Sequence, residues 1–226
     1  MKRIEPQLSI LPDAQRRLWS SLSPLPQLGF VLYGGTAIAL QLGHRQSVDF
    51  DFFTEHALDR EVLIRHLPLL AAAEVVQDQP DTWTVLVSDN QLTRPVKVSF
   101  FGAIGFGRVG EPVLTSDGVL LIASLEDLLA TKLKVLLQRV EAKDYGDIAA
   151  LVDSGVSLEA GLASARLLFG KLFQPSECLK ALVYFEGGDL ETLNSHQRKV
   201  LVNAAKGVRD LPPVKRKSRS LSFLEQ

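Results

Sequence analysis

Two aspartates separated by a single residue, Asp49 and Asp51, lie in an alternating segment at residues 47–53. In a β-strand this alternation places both carboxylates on one face, about 7 Å apart along the strand. Two carboxylates this close repel each other unless a cation lies near them. Mg²⁺ is commonly held by one or two carboxylates together with substrate phosphates, and such ions support phosphoryl-type transfer. The pair therefore indicates metal-dependent transfer, while a solvated strand face remains the structural alternative.

A glycine turn, Gly34-Gly35-Thr36, stands between a predicted strand at residues 30–33 and a predicted helix at 37–42. The two glycines let backbone amides approach an anion, and a helix N-terminus adds a favourable dipole. The Thr36 hydroxyl would bind a phosphate or cap the helix, and both interpretations stay open. The turn lacks the Gly-Lys-Thr/Ser ending of a P-loop. Because one helix returns the chain to the sheet, we expect the turn and the aspartates to face one triphosphate.

The elements that would position these residues form a mixed sheet in the first half and a helical bundle in the second. Further strands are predicted at 83–88 and 96–101, with a turn at Asp89-Asn90 between them and a glycine-rich loop at 102–118. Helices are predicted at 13–22, 60–67, 124–140, 143–153, 158–169, 176–185 and 195–206. We expect a first domain at 1–120, a helical domain at 121–210, and a flexible basic tail at 211–226. In the strand at 47–53, Val48, Phe50 and Phe52 are expected to face the core.

The composition is that of a globular protein: 226 residues, 46% hydrophobic, with a formal net charge of −1. Near-neutral charge gives no sign of nucleic-acid binding. One cysteine, Cys178, excludes a disulfide framework and is expected in the core. The first residues lack a signal-peptide pattern, and the apolar runs are too short to span a bilayer. We therefore expect a cytoplasmic protein without membrane contact.

Residues 33–40 and 43–53, which read YGGTAIAL and GHRQSVDFDFF, resemble the AbiEii/AbiGii toxin family. That family belongs to the DNA polymerase beta-like nucleotidyltransferase superfamily. A second similar block spans residues 124–151 and contains Asp127, Lys132, Arg139, Asp144 and Asp147. The resemblance implies an α+β nucleotidyltransferase fold in which a mixed sheet flanked by helices precedes a C-terminal helical bundle.

The resemblance also implies roles for individual residues. Asp49 and Asp51 would bind Mg²⁺ or Mn²⁺, and Lys132 and Asp144 would join them in catalysis. Gly35 and Thr36 would bind the nucleotide phosphates, and Asp147 would be a further partner on the second helix. From their own positions, Gly34, Arg45 and Arg139 are further candidates for nucleotide contact, Ser47 would support a metal-bound water or cap the strand start, and Ser99 would contact a metal-bound water. For Arg45, contact with a phosphate and orientation of Asp49 are both open.

Lys132 and Arg139 are seven residues apart, so in one helix they would share a face. A cationic face suits a triphosphate, since arginine binds two oxygens at once. The alternative is that both residues pair with Asp144 and Asp147 across the helical hairpin.

The predicted strand at 96–101 departs from the wider superfamily, in which many members carry a third carboxylate on a neighbouring strand. Its polar face shows Lys97 and Ser99 instead of an acid. A serine is a poor general base, so the attacking hydroxyl would depend on the metal or on another carboxylate such as Asp144. This departure favours an alternative function, a catalytically weak or inactive nucleotide- or protein-binding module.

The leading functional expectation is transfer of a nucleoside monophosphate from a nucleoside triphosphate to a hydroxyl. The resemblance implies a toxin with a cognate antitoxin protein and with tRNA or another RNA as acceptor. A protein or small-molecule acceptor stays open, as do the base preference and the oligomeric state. The basic residues at 215–219 would bind RNA phosphates or be solvated. Trp83 is expected in the core.

Overall fold

The computed structural model describes residues 2–88 and 94–223, which form two compact units. The sheet unit contains residues 2–107, 111–123 and 218–223, apart from 89–93, and the helical unit contains 108–110 and 124–217. The main division after Ala123 lies close to the boundary predicted at residue 120. The turn predicted at Asp89-Asn90 lies outside the described residues.

The sheet has eight strands in the part of the chain that the structure describes. They are β1 (Arg3–Ile4), β2 (Val31–Tyr33), β3 (Asp49–Phe53), β4 (Glu74–Gln79), β5 (Thr82–Val87), β6 (Val96–Phe101), β7 (Val113–Thr115) and β8 (Leu121–Ile122). Their order is β1-β7-β8-β2-β3-β6-β5-β4. The β1/β7, β2/β8 and β3/β6 pairs are parallel and the others antiparallel, so the predicted mixed sheet is confirmed.

Three helices belong to the sheet unit, and five form the helical unit as far as the chain is described. The first three are α1 (Asp13–Leu18), α2 (Gly34–Leu42) and α3 (Arg60–His66). The other five are α4 (Leu125–Leu136), α5 (Ala142–Asp153), α6 (Leu158–Phe169), α7 (Pro175–Leu182) and α8 (Ser195–Gly207). The predicted helical bundle is therefore confirmed. No described helix combines the length and the apolar character needed to cross a membrane.

Aromatic side chains form the core beneath β3. Phe52 and Trp83 each stack on Phe100, with ring centroids 5.7 Å apart in both pairs, and this confirms the core position of Trp83. Phe50 and Phe52 are fully buried, as the alternation predicts. Val48 is 60% exposed, so its predicted core position is wrong. Pairing with β6 begins only at Asp49, so Val48 lies before the strand.

The sequence did not indicate β4 or β7. All six residues of β4 are exposed, so this edge strand lacks the alternating pattern that identifies a half-buried strand. The three-residue strand β7 lies inside the segment predicted to be a glycine-rich loop. Short strands of this kind depend on their neighbours for stability and carry little signal of their own.

Close helix packing organises the helical unit. A Cβ added at Gly161 of α6 would lie 2.5 Å from a Leu129 methyl carbon of α4, so glycine permits this contact. Cys178 is fully buried in α7, which confirms its core position. Burial raises the pKa of the Cys178 thiol to about 12.

Two residues of the tail contact the rest of the chain, at Lys217 and at Leu221. In the helical unit, the Lys217 backbone N–H donates to the Arg108 carbonyl oxygen at 2.9 Å. In the sheet unit, the Leu221 backbone N–H donates to Glu55 Oε2 at 3.1 Å, and the Leu221 side chain is buried. The basic residues at 215–219 dominate this segment, so the burial of Leu221 was not predicted. Burial of an apolar side chain favours an ordered conformation.

Candidate active site

The polar face of β3 carries Asp49 and Asp51 beside two polar residues of β6. In the parallel register Asp49 pairs with Lys97 and Asp51 pairs with Ser99, so all four side chains point to the same face. Lys97 Nζ lies 3.3 Å from Asp49 Oδ2, and these side chains are 44% and 34% exposed. Ser99 is buried. The face thus combines two carboxylates with one ammonium group and one hydroxyl.

Gly34 brings the backbone of the glycine turn against Asp51. Tyr33 pairs with Asp51 across β2 and β3, and Gly34 follows with a φ of +72°. A Cβ at Gly34 would lie 2.6 Å from Asp51 Oδ2. Glycine is therefore required both for the backbone conformation and for the space that the carboxylate occupies.

This arrangement fits a divalent cation that is shared with a substrate. Within residues 2–88 and 94–223, no group of three or more His, Cys, Asp or Glu side chains is arranged to hold a metal ion. Two carboxylates alone suit Mg²⁺, which usually keeps several waters and takes further oxygens from substrate phosphates. Asp49 and Asp51 supply two such carboxylates. Any side chain at position 34 would fill the space beside Asp51 Oδ2.

Substitution Gly34→Ala is expected to lower the free energy of unfolding by about 2–4 kcal/mol and to displace Asp51. The matched control is Gly43→Ala, because Gly43 also has a positive φ (+66°) while its added Cβ would meet nothing closer than 3.6 Å. In that control the loss of stability comes only from placing a residue with a Cβ in the left-handed conformation, about 1–2 kcal/mol. Urea unfolding of both variants measures the difference. Equal losses would show that the approach to Asp51 carries no cost.

Thr36 and Ser47 connect the start of α2 to the start of β3. The Thr36 hydroxyl donates to the Asp49 carbonyl oxygen and lies 2.8 Å from Ser47 Oγ, and both side chains are buried. The N-cap of α2 is Tyr33, so the predicted capping role of Thr36 is wrong. In this structure Thr36 fixes the backbone that carries Asp49. Phosphate contact by Thr36 or Ser47 stays a prediction.

Substitution Thr36→Val is expected to cost about 1–3 kcal/mol of stability, since it leaves the partly buried Asp49 carbonyl without the Thr36 donor. Thr36→Ser keeps the hydroxyl and is the control, with a smaller loss. Thermal unfolding of the two variants decides the point. A valine variant as stable as the serine variant would contradict the importance of this bond.

Two further predicted residues, Gly35 and Arg45, lie in the segment between β2 and β3. Gly35 lies in the first turn of α2. Arg45 donates from Nη1 to the Gln46 carbonyl oxygen at 2.8 Å. Their predicted roles, phosphate binding for both and orientation of Asp49 for Arg45, stay predictions.

The helical unit contains a buried ion cluster at the hairpin of α4 and α5. Lys132 Nζ lies 2.7 Å from Asp144 Oδ1 and 2.7 Å from Asp147 Oδ2. The Lys132 side chain is 8% exposed and both carboxylates are fully buried. Arg139 Nε donates to Asp144 Oδ2 at 2.8 Å. The structure thus shows the pairing that was the alternative to a cationic face.

The position of Arg139 explains why its spacing argument is wrong. Helix α4 ends at Leu136, four residues before the predicted end, so Arg139 does not share a helical face with Lys132. It instead folds back onto Asp144. Burial raises the pKa of Asp144, but the hydrogen bonds and charges of Arg139 and Lys132 outweigh burial and hold it below its usual value. Asp144 is therefore ionised at neutral pH.

Asp127, which belongs to the second similar block at 124–151, has structural contacts at the start of α4. Ser124 is the N-cap of α4 and accepts from the Asp127 backbone N–H at 3.1 Å. The Asp127 carboxylate accepts from the backbone N–H groups of Val109 and Gly110 at 2.8 Å and 3.0 Å. Burial raises the pKa of Asp127 despite these bonds. The Asp127 carboxylate therefore holds the backbone of residues 109–110 in place.

Sequence reasoning missed the contacts of Lys97 and Gly34. Lys97 was noted on the polar face, but its pairing with Asp49 depends on the register between β3 and β6, which the sequence does not show. The closeness of Gly34 to Asp51 likewise depends on the register of β2 with β3. The sequence itself indicates only that a glycine, Gly34, directly follows a predicted strand.

Two solved structures share the fold. The first, a candidate nucleotidyltransferase from H. pylori, has a TM-score of 0.56 and 18% identity, covering 85% of this chain and 90% of that one. The second, MenT4, a nucleotidyltransferase toxin from Mycobacterium tuberculosis, has a TM-score of 0.56 and 17% identity, covering 85% and 86%. At these identities the likeness shows the fold alone, and it confirms the predicted nucleotidyltransferase fold.

A relative and a family model match the sequence of this chain. An uncharacterised protein of Aquifex aeolicus is 31% identical over 121 residues, which is 53% of this chain and 55% of that protein. The alignment thus spans about half the length of that relative. Residues 18–198 match the family described as "Nucleotidyl transferase AbiEii toxin, Type IV TA system". That match includes β2, β3, the glycine turn and the buried ion cluster. The chain therefore belongs to the AbiEii nucleotidyl transferase toxin family.

Proposed function

We propose that this protein is a metal-dependent nucleotidyltransferase that moves a nucleoside monophosphate from a nucleoside triphosphate to a hydroxyl and releases pyrophosphate. The observation that carries the proposal is the pair Asp49 and Asp51 on the polar face of β3, with Gly34 against Asp51. Family membership supports the same chemistry.

The residues of the sheet unit would divide the work as follows. Asp49 and Asp51 would hold Mg²⁺ or Mn²⁺, and the ion would supply charge stabilisation at the phosphates and activation of the acceptor hydroxyl. The backbone amides of Gly34 and Gly35, at the N-terminus of α2, would bind phosphate oxygens. Thr36 would keep the Asp49 backbone fixed through its hydrogen bond to the Asp49 carbonyl.

The residues of the helical unit would act in two ways. Lys132 and Asp144, which the family resemblance assigns to catalysis, are tied to each other and, through Lys132, to Asp147. We propose that this buried network orders α4 and α5. The Arg139 side chain is 45% exposed while it holds Asp144, and it is our candidate for phosphate contact from this unit.

Family membership supports a biological setting as well. We propose that the protein is the toxin of a toxin–antitoxin pair, acts in the cytoplasm and is inhibited by a cognate antitoxin protein. The proposed acceptor is the terminal hydroxyl of tRNA or of another RNA. Protein acceptors are tested in the same experiment below.

A second candidate function is a nucleotide-binding module with little catalysis. The observations that favour it are the serine at position 99 and the ion pair between Lys97 and Asp49. A serine hydroxyl is a poor general base, and an ammonium group has no free electron pair with which to accept a proton. This module would bind a nucleotide without transferring it.

The test is incubation with each α-labelled nucleoside triphosphate in turn, with Mg²⁺ or Mn²⁺, and with separate RNA and protein fractions. Label on a macromolecule with the wild type, and none with the Asp49→Ala/Asp51→Ala variant, is the expected result. The labelled fraction identifies the acceptor class. Nucleotide binding by calorimetry without any labelled product would favour the module.

A further inference from the structure

The polar face of β3 and β6 changes character along its length. Asp49 and Lys97 pair at one end of the parallel register, and Phe53 and Phe101 pair at the other. Residues two apart in a strand share a face, so these phenylalanines lie on the face that carries the aspartates. Asp51 lies between the two ends, about 7 Å from Phe53 along β3. One end of the face is therefore charged and the other is aromatic.

The aromatic end is not enclosed in the core. Three other phenylalanines of β3 and β6, Phe50, Phe52 and Phe100, are fully buried, whereas Phe53 and Phe101 are half-buried. Within residues 2–88 and 94–223, the Phe101 ring meets one aromatic ring, that of Phe53, with centroids 5.0 Å apart and planes at 69°. Phe101 therefore keeps ring surface that no second aromatic ring of the described chain covers.

Neighbouring contacts fix the position of these rings. Phe53 stacks on Tyr33, with ring centroids 4.6 Å apart and planes at 14°. In the loop after β6, the Ala103 backbone N–H donates to the His56 carbonyl oxygen at 2.7 Å. Ala103 has a φ of +52°, which is uncommon for a residue with a Cβ. The chain just after Phe101 is thus held in a specific conformation.

We propose that Phe53 and Phe101 form the binding site for the base of the nucleoside triphosphate, with the Phe101 ring as the surface on which the base stacks. This inference rests on the proposed function, which places the phosphates at Asp49 and Asp51. A nucleotide is charged at its phosphates and aromatic at its base, and this face is divided in the same way. Stacking suits any of the bases, because every base has a π-face.

Ordinary packing beneath the loop at 102–107 is the competing explanation of the two half-buried rings. The two explanations differ in which ligands a substitution affects. Phe101→Leu keeps an apolar side chain and removes the ring, so loss of stacking would weaken only a ligand that has a base. Loss of packing would disturb the whole face and weaken ligands with and without a base equally.

The test is calorimetry on the full chain with Mg²⁺ and two ligands: the tightest-binding α,β-methylene nucleoside triphosphate of the four, and the same triphosphate without its base. The wild type is expected to bind the complete nucleotide more tightly by about tenfold or more. In Phe101→Leu, the Kd of the complete nucleotide should rise about tenfold, while that of the abasic ligand stays unchanged. Phe101→Tyr keeps the ring and should keep the preference. Phe185→Leu, which removes a half-buried ring of the helical unit, is the control and should also keep it.

A measurement on the wild type does not depend on the folding of Phe101→Leu. We expect nuclear Overhauser contacts between the base protons and the Phe101 ring protons, which are assigned by comparison with Phe101→Tyr. Equal Kd values of the wild type for the two ligands, an unchanged preference in folded Phe101→Leu, an equal loss for both ligands, or absence of these contacts would each overturn the inference.

This comparison is independent of catalysis. Base-dependent binding that is lost in Phe101→Leu, without nucleotidyl transfer, would support the inference while the proposed function fails. Nucleotidyl transfer by Phe101→Leu with the wild-type KM would support the proposed function and overturn the inference.

Discussion

Substitution Asp51→Asn is expected to reduce the rate of nucleotidyl transfer on the order of 10³-fold. The amide keeps the shape of the side chain but removes the negative charge that would hold the metal. A metal ion contributes several kcal/mol of transition-state stabilisation, and each 1.36 kcal/mol corresponds to a tenfold change in rate, as order-of-magnitude estimates.

The matched control is Asp210→Asn, an exposed aspartate in the segment after α8. This control should transfer nucleotides at the wild-type rate. Thermal unfolding of both variants excludes a folding defect as the cause of any loss. A folded Asp51→Asn variant that keeps more than a tenth of the wild-type rate would contradict the metal-binding role of Asp51.

Substitution Lys132→Met is expected to lower the free energy of unfolding by about 3–5 kcal/mol, because it leaves buried carboxylates without their cation. Asp144 and Asp147 are fully buried and both contact Lys132 Nζ at 2.7 Å. Arg139 would remain to neutralise Asp144, whereas Asp147 would lose its contact with the ammonium. Urea unfolding, followed by helical circular dichroism, measures the loss.

Lys143→Met is the control for this prediction. Lys143 is 51% exposed and pairs with Glu141, so its loss should cost no more than about 1 kcal/mol. Adding Asp147→Asn to Lys132→Met should recover part of the lost stability, since the stranded charge is gone. Equal stability of the Lys132→Met and Lys143→Met variants would contradict a structural role for the cluster and leave only its catalytic assignment.

The sequence predicted the parts of the site that lie in an alternating strand or at a pair of glycines. Alternation identified β3 and the common face of Asp49 and Asp51, because one side of that strand is buried in an aromatic core. Two glycines after a strand identified the place where α2 begins, and both glycines lie in its first turn. The edge strand β4 was missed because both of its faces are exposed and nothing in its sequence alternates.

Contacts between distant residues were beyond sequence reasoning. Lys97 meets Asp49 only because β3 and β6 pair in one register, and a shift of a single residue would place them on opposite faces. The end of α4 was predicted too late because residues 137–141 contain no glycine or proline. The chain nevertheless leaves the helix there, and Arg139 reaches Asp144.

The most direct test of the account compares label at two positions of the same nucleoside triphosphate. The account predicts that α-phosphate label becomes attached to the acceptor, while γ-phosphate label leaves in pyrophosphate, and that both signals vanish in Asp49→Ala/Asp51→Ala. Transfer of γ-phosphate label to the acceptor would instead show phosphorylation and contradict nucleotidyl transfer.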